Sequence, residues 1–455
     1  MEFGPQRILR FVASVVAVIG VSASLHAGLT NLTGRQSVGG VMIDAQGMVR
    51  NATLAEQQEL ANVARAVLQQ AEGEMAEATE LRMISLARLQ QHLQATREAG
   101  ERISSDVEFL AGLQRIQYVF VDPDNQDIIL AGPAEPWKML EDGSVVGEVS
   151  GKSTMRLADL IVALRTVEDA RRGGISCSIE PTAEGRQRLQ NLLRNVKLRP
   201  GQNPAIYEAS MKQAFGPQMV HLHGVPKDSR YARVLVAADF EMKRVAMNLA
   251  PSNVAGLPSY LQLAKNSRHN ASQNPRWWMA CNYDTMLKSE DALAWKMSGQ
   301  GVKTLTDQDL IGADGDVKAA GRSDKIAQAW AEMMTQKYPE LARKIHVFGD
   351  LQNIMDMTVV ATLITQERLD QKAGIDLALL KQESDVVELT SYAVPQALHP
   401  QCSFVRGRSG WTVTASGGVD IDAFSVVEQQ RVDADVAAQR EVALAAASDR
   451  WWWNR

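Results

Sequence analysis

The chain has 455 residues, 45% of them hydrophobic and 22% charged, which is an ordinary globular composition with room for two or three domains and excludes a disordered chain. Its net charge of −5 comes from 48 basic and 53 acidic residues, and without a clustered basic face it gives no footing for nucleic acid as a partner. Cys177, Cys281 and Cys402 lie far apart with no Cys-x-x-Cys, which excludes a zinc knuckle, a thioredoxin-type motif and a disulfide scaffold.

Arg7 and Arg10 precede an apolar run from Phe11 to Leu25. A basic start and an apolar run of about 15 residues have the proportions of a signal peptide and are short for a membrane span. Ala23 and Ala27 offer cleavage points, so residues 1–27 are expected to direct export to the periplasm or beyond. An uncleaved anchor is the alternative. No later stretch approaches ~18 uninterrupted apolar residues, so no transmembrane span is expected in the mature chain.

Residues 28–110 are expected to hold a strand pair and a helical region. Val38 to Arg50 reads as two short strands around Asp44-Ala-Gln-Gly. Thr53 with Glu56 three residues later forms a capping box for a helix to about Glu74. A second helix is expected from Leu81 to about Arg97 on the spacing of Ile84, Leu86, Leu89 and Leu93. The main body follows over 111–420, with a subdomain break near 200–217. Ile116 to Gly132 reads as strand, turn and strand, since Asp122-Pro-Asp-Asn lacks the spacing of a calcium loop. Gly147-Glu-Val-Ser-Gly-Lys-Ser-Thr fails the phosphate-loop spacing by one residue and is rejected as a nucleotide site. Leu157 to Val167 carries a helical stripe, Ile175 to Ile179 alternates as a strand with Cys177 on the isoleucine face, and a helix follows over Arg186 to Asn195.

Several phrases resemble a family of exported planctomycete proteins known only as a domain of unknown function. They include Ile116-Gln-Tyr-Val-Phe-Val, Ile175-Ser-Cys-Ser-Ile-Glu-Pro-Thr, Val234-Leu-Val-Ala-Ala-Asp-Phe-Glu-Met-Lys-Arg, Pro275-Arg-Trp-Trp and Gly299-Gln-Gly-Val-Lys. The resemblance spans roughly Leu113 to Gly418. It implies an exported bacterial protein and carries no activity or catalytic residues with it.

Gln218 to Leu249 is the stretch where structure and chemistry coincide. Alternation in Val220-His-Leu-His puts His221 and His223 on one strand face, where a histidine pair can share a divalent metal or simply face solvent. Asp239, His269, His346 and Asp350 are the remaining ligand candidates. Asp228 or Ser229 then caps a helix with an apolar stripe from Tyr231 to Leu249. Arg230, Arg233, Lys243 and Arg244 are expected on its outer face, where Lys243 and Arg244 could hold an acidic partner or an anionic polymer. Asn274 to Tyr283 contains Arg276, Trp277 and Trp278. In extended chain one indole anchors and the other is presented outward, where it can stack on a sugar or peptide.

Trp295 and Trp330 are expected on core helices, and Asp307 to Asp316 as an acidic loop. Helices are expected over Ser323 to Leu341 and Leu351 to Gln371, the second apolar nearly all round and therefore central. Ser403 to Val419 reads as a closing hairpin. Gly418-Val-Asp-Ile-Asp-Ala echoes Gly40-Val-Met-Ile-Asp-Ala, as matching edge strands or by coincidence. Residues 421–455 form a charged, alanine-rich tail in which Trp451, Trp452 and Trp453 are expected to be exposed for docking.

The expected fold class is mixed α/β (α+β): a helical N-terminal region, then strands and amphipathic helices. No Ser–His–Asp signature, Gly-x-Ser-x-Gly or His-Glu-x-x-His is present. The leading functional reading is an exported, non-catalytic binding or cell-envelope protein, whose partner is an envelope polymer or another protein. A metal-dependent hydrolase on His221 and His223 and a glycan-binding protein are the alternatives. No cofactor beyond a divalent metal is expected.

Overall fold

The structure is a computed structural model that describes residues 37–196, 204–266, 275–311, 317–319, 325–383, 386–400, 402–407, 410–414 and 416–455. The expected signal peptide lies outside them, as do His269, Asp314, Asp316 and the start of the expected break near 200–217.

The fold is mixed α/β and is built on two large sheets. Five strands fill the middle of a nine-stranded sheet: β1 (Ile175–Pro181), β2 (Gln218–His223), β3 (Pro275–Asn282), β4 (Gly301–Ile311) and β5 (Ser416–Ile421). They lie side by side in the order β2-β1-β5-β3-β4. The N-terminal pair Val41–Ile43 and Met48–Asn51 extends one side through Ala397–Leu398. Asp44 shapes the turn of that pair by accepting from the amides of Gln46 and Met48.

Four long helices line the core: α1 (Leu157–Gly173), α2 (Arg230–Ala246), α3 (Lys325–Lys344) and α4 (His346–Gln366). α2 packs on β1 and β5, and α4 packs on α1, α2 and α3. α4 is long and apolar enough to cross a membrane but is 89% buried inside the protein, as its all-round apolar sequence requires. A buried clamp holds the helix starts together. Arg230 on α2 bonds Asp159 on α1 and, at 2.6 Å, Asp350 on α4.

The seven-stranded sheet mixes the chain's ends with its middle. Its order is Gln430–Val432, Met286–Lys288, Ala294–Lys296, Tyr118–Asp122, Asp127–Ala134, Thr79–Ser85 and Trp452–Asn454. The Thr53–Glu56 capping box forms as expected. The second expected helix starts only at Leu86. Thr79–Ser85 is a strand whose Met83 and Ile84 are both fully buried, one on each face. A strand apolar on both faces mimics a helical spacing, which explains the misreading.

The terminal tryptophans correct a larger expectation. They are not exposed. Trp452 and Trp453 pair with Ile84 and Met83 at the sheet edge, and Trp451, Trp452 and Trp453 are 6%, 7% and 2% accessible. Arg82 and Arg450 flank the Trp452 ring at 5.2 and 4.6 Å, and the Trp453 indole donates to the Ala443 carbonyl at 3.2 Å. The tail supplies an edge strand and closes a hydrophobic layer over Leu81, Met83 and Ile129.

Trp295 is buried on a strand, whereas Trp330 is on α3 as expected. Asp307 and Asp309 belong to β4 and not to a loop. The Gly-Val-x-Ile-Asp-Ala echo does not mark two edges, because Val41–Ile43 is an edge strand and β5 is central. β5 runs so close to its neighbours that a Cβ on Gly417 would lie 1.6 Å from the Trp277 carbonyl oxygen, and one on Gly418 would lie 1.8 Å from that of Cys177.

Candidate functional site

β2 and the start of α2 form the strand–loop–helix unit that the sequence singles out. Ser229 caps α2 by accepting from the Ala232 amide at 3.1 Å. Gly224 lies in the turn at φ +75°, and a Cβ there would lie 2.4 Å from the Gly174 carbonyl oxygen, so the turn needs glycine.

His221 and His223 project from one face of β2 and are exposed, while Val220 and Leu222 face the core. Among the described residues no group of three or more His, Cys, Asp and Glu side chains could hold a metal ion. Asp239 and Asp350 are engaged with Lys243 and Arg230. Among the described residues the pair therefore has no third protein ligand of the kind zinc sites use.

Strand register brings the aromatic candidates onto the same face. Leu305, Trp278, Gly418, Ser178 and His221 form one row across β4, β3, β5, β1 and β2. Trp278 and His221 stand three strand spacings apart, about 14 Å. Arg276 lies over the Trp278 ring at 5.0 Å and reaches Glu180 at 3.4 Å. Trp277 points the other way, is fully buried against Tyr260 and Trp330, and so cannot touch a ligand.

The expected basic outer face of α2 does not exist. Arg233 and Lys243 are buried because α2 is covered on all sides. The Lys243 ammonium donates to Asp239 at 2.9 Å and to the carbonyls of Ile179 at 2.8 Å and Gly417 at 3.2 Å, which uses all three of its hydrogens. Burial pushes the Asp239 carboxyl up to about 7 even though Lys243 pulls it down. Arg244 is tied to Glu241 at 2.6 Å and Asn51 at 3.0 Å. Cys177 and Cys281 carry free thiols, and burial raises both, Cys281 to about 12, so neither is an activated nucleophile.

A large cleft adjoins His223. It has a volume of about 1000 Å³ and lies between one face of α1, the β2–α2 connection and a third wall of Lys381, Glu383 and Val387 to Ser391. α1 contributes Arg165, Asp169 and Arg172 at helical spacing. His223 sits over Gly173, where a Cβ would lie 2.8 Å from its Nε2. Ser391 donates to Asp228 at 2.8 Å and the Tyr392 amide donates to the Asp228 carbonyl at 2.7 Å, fastening the third wall to the loop.

Residues 177–260 match the family described as Protein of unknown function (DUF1598). The match is shorter than the Leu113 to Gly418 resemblance, and no curated protein and no solved structure matches the chain. The DUF1598 domain runs from Cys177 in β1 to Tyr260 and so contains the histidine pair, the β2–α2 connection and Lys243. It supplies one wall of the cleft.

The other two walls were not legible in the sequence. Arg165, Asp169 and Arg172 look there like the solvated side of an amphipathic helix. Residues 381–391 have no periodicity. In the fold, Arg165 donates from Nε to the Leu380 carbonyl at 3.4 Å, and its Nη2 is buried with no hydrogen-bond partner. Burial lowers its affinity for the proton. Asp169, Asp228, Glu383 and Glu388 line the same cleft, where Glu383 favours the charged form of Arg165 and Asp228 accepts from Ser391.

Proposed function

We propose that this chain is an exported, non-catalytic binding protein of the bacterial cell envelope, in line with its resemblance to planctomycete proteins. Its ligand occupies the cleft beside His223. The observation that carries the reading is the buried Nη2 of Arg165, which has no hydrogen-bond partner, in a cleft whose walls also carry Asp169, Asp228, Glu383 and Glu388. A buried guanidinium hydrogen without an acceptor is costly, and a ligand carboxylate would satisfy it. The surrounding acids suit an amine. Short linear peptides carry both groups.

Calorimetric titration of the purified protein with a short peptide and its C-terminal amide tests this. The free acid should bind at least about tenfold more tightly, the value of one charge-assisted hydrogen bond. Arg165→Met should abolish the difference while leaving the melting temperature nearly unchanged. Equal binding of acid and amide sinks the reading. Export is tested separately, by N-terminal sequencing of the protein from the producing cell, with a start after Ala23 or Ala27 expected.

A second reading, glycan binding on the open face of the nine-stranded sheet, is favoured by the Trp278–Gly418–Ser178–His221 row. An indole beside small and hydrogen-bonding side chains can stack on a sugar ring while its neighbours meet the hydroxyls. Trp278→Ala should weaken retention on cell-wall polysaccharide about tenfold, the effect of losing a stacking contact of about 1.4 kcal/mol. Unchanged retention disposes of it.

A further inference from the structure

Gly151-Lys-Ser fails as a nucleotide loop, yet the fold gives those residues a place that the binding reading does not use. Lys152 and Ser153 line a pocket of about 180 Å³ together with Gln114, Arg115, Gln300 and Arg343, opposite the first turns of α4 at Gly349, Gln352 and Asn353. Its lining contains three cations, several amides and no carboxylate. The cleft beside His223 is mixed in charge, with four carboxylates beside Arg165, Arg172 and Lys381 in its walls.

We propose that this pocket binds a phosphate group. Two of its cations are uncommitted: Lys152 and Arg343 have no ion-pair partner among the described residues, and both are exposed enough to swing onto a ligand. The third is held in place. Arg115 donates from Nε and Nη2 to Asp356 at 2.6 and 3.0 Å and from Nη2 to the Gly299 carbonyl at 3.4 Å, which fixes the guanidinium plane and leaves Nη1 without an acceptor among the described residues. The acids packed nearby are already satisfied. Asp356 also accepts from Tyr283 at 2.7 Å and from the Ile116 amide at 3.2 Å, and Glu135 accepts from the amides of Val149 and Ser150.

The start of α4 and the last turns of α3, at Pro339, Ala342 and Arg343, both border the pocket, so the two helix ends offset each other and the side-chain cations set its charge. Its wall is kept close by Gly349, where a Cβ would lie 2.6 Å from the Ser153 hydroxyl oxygen, and by Ser153 donating to the His346 carbonyl at 3.1 Å. A volume of about 180 Å³ has room for a tetrahedral oxyanion and a few waters. The phosphate can be free inorganic phosphate or a monoester on a small alcohol.

Calorimetric titration of the full chain at low ionic strength with inorganic phosphate, and separately with glycerol phosphate, tests the site. Binding of either is expected. Binding of both assigns the site to a phosphate ester, and binding of inorganic phosphate alone assigns it to the free ion. Lys152→Ala with Arg343→Ala should weaken binding about a hundredfold, and Arg343→Glu should abolish it, because each variant removes charge-assisted hydrogen bonds. These side chains are exposed, so thermal unfolding of the variants should match the parent. Arg165→Met, in the other cleft, should leave phosphate binding unchanged. Failure of both probes to bind below about 10 mM, or parent-like affinity in the double variant, overturns the proposal, whatever the fate of the peptide reading.

Discussion

Asp239→Ala should lower the unfolding free energy by about 3–5 kcal/mol, because it leaves the Lys243 ammonium buried without its counter-charge. Lys243 is 2% accessible and cannot reach water without breaking the contact of α2 with β1 and β5. Asp239→Ala combined with Lys243→Met should recover most of the loss, since a buried ion pair is often no better than an apolar replacement of similar volume. Urea denaturation of the two variants checks this. A double variant no more stable than the single one would show that packing and not charge sets the cost.

The same pair has a pH signature. The Asp239 carboxyl sits at about 7 in the folded chain, above its ordinary value, so the folded state holds its proton more tightly than the unfolded chain does. Between about pH 4 and pH 7 the unfolded state binds fewer protons at this site, so its contribution to stability falls as pH rises. Above pH 7 the contribution is constant. The slope of unfolding free energy against pH should be less negative in the double variant over that window. An identical slope would remove Asp239 from the account.

Deleting residues 451–455 should destabilise the protein by more than about 3–5 kcal/mol, the usual cost of truncating one buried tryptophan. The deletion removes three buried indoles and the edge strand paired with Thr79–Ser85. Trp453→Ala alone should cost about 3–5 kcal/mol, because its ring is 2% accessible and its indole hydrogen bonds the Ala443 carbonyl. Limited proteolysis should then cut near Thr79 in the truncated protein. If the tail were an exposed docking segment, the unfolding midpoint would not move.

Local features were legible where one short stretch contains both partners of an interaction. The Thr53–Glu56 box, the Ser229 cap, the Cys177 face of β1 and the buried character of α4 all belong to this class. Legibility failed where a neighbour distant in sequence decides which faces are covered. Thr79–Ser85 looks helical because nothing local says that two strands sandwich it. Lys243 looks like a surface charge because its acceptors, the carbonyls of Ile179 and Gly417, lie 64 and 174 residues away.

The candidate sites divide in the same way. The sequence by itself determined that His221 and His223 share a strand face, that one of Trp277 and Trp278 points outward, and that a capped helix follows the histidines. Hydrophobic period and capping chemistry act over a few residues, and a single chain contains all of that information. Only the tertiary structure decided that Trp278 and His221 lie in one row, that Arg165 lines one cleft with the β2–α2 connection, and that Lys152 and Arg343 line one pocket. Those juxtapositions depend on sheet order and helix packing, which bring together residues separated by tens to hundreds of positions and leave no trace in the local pattern.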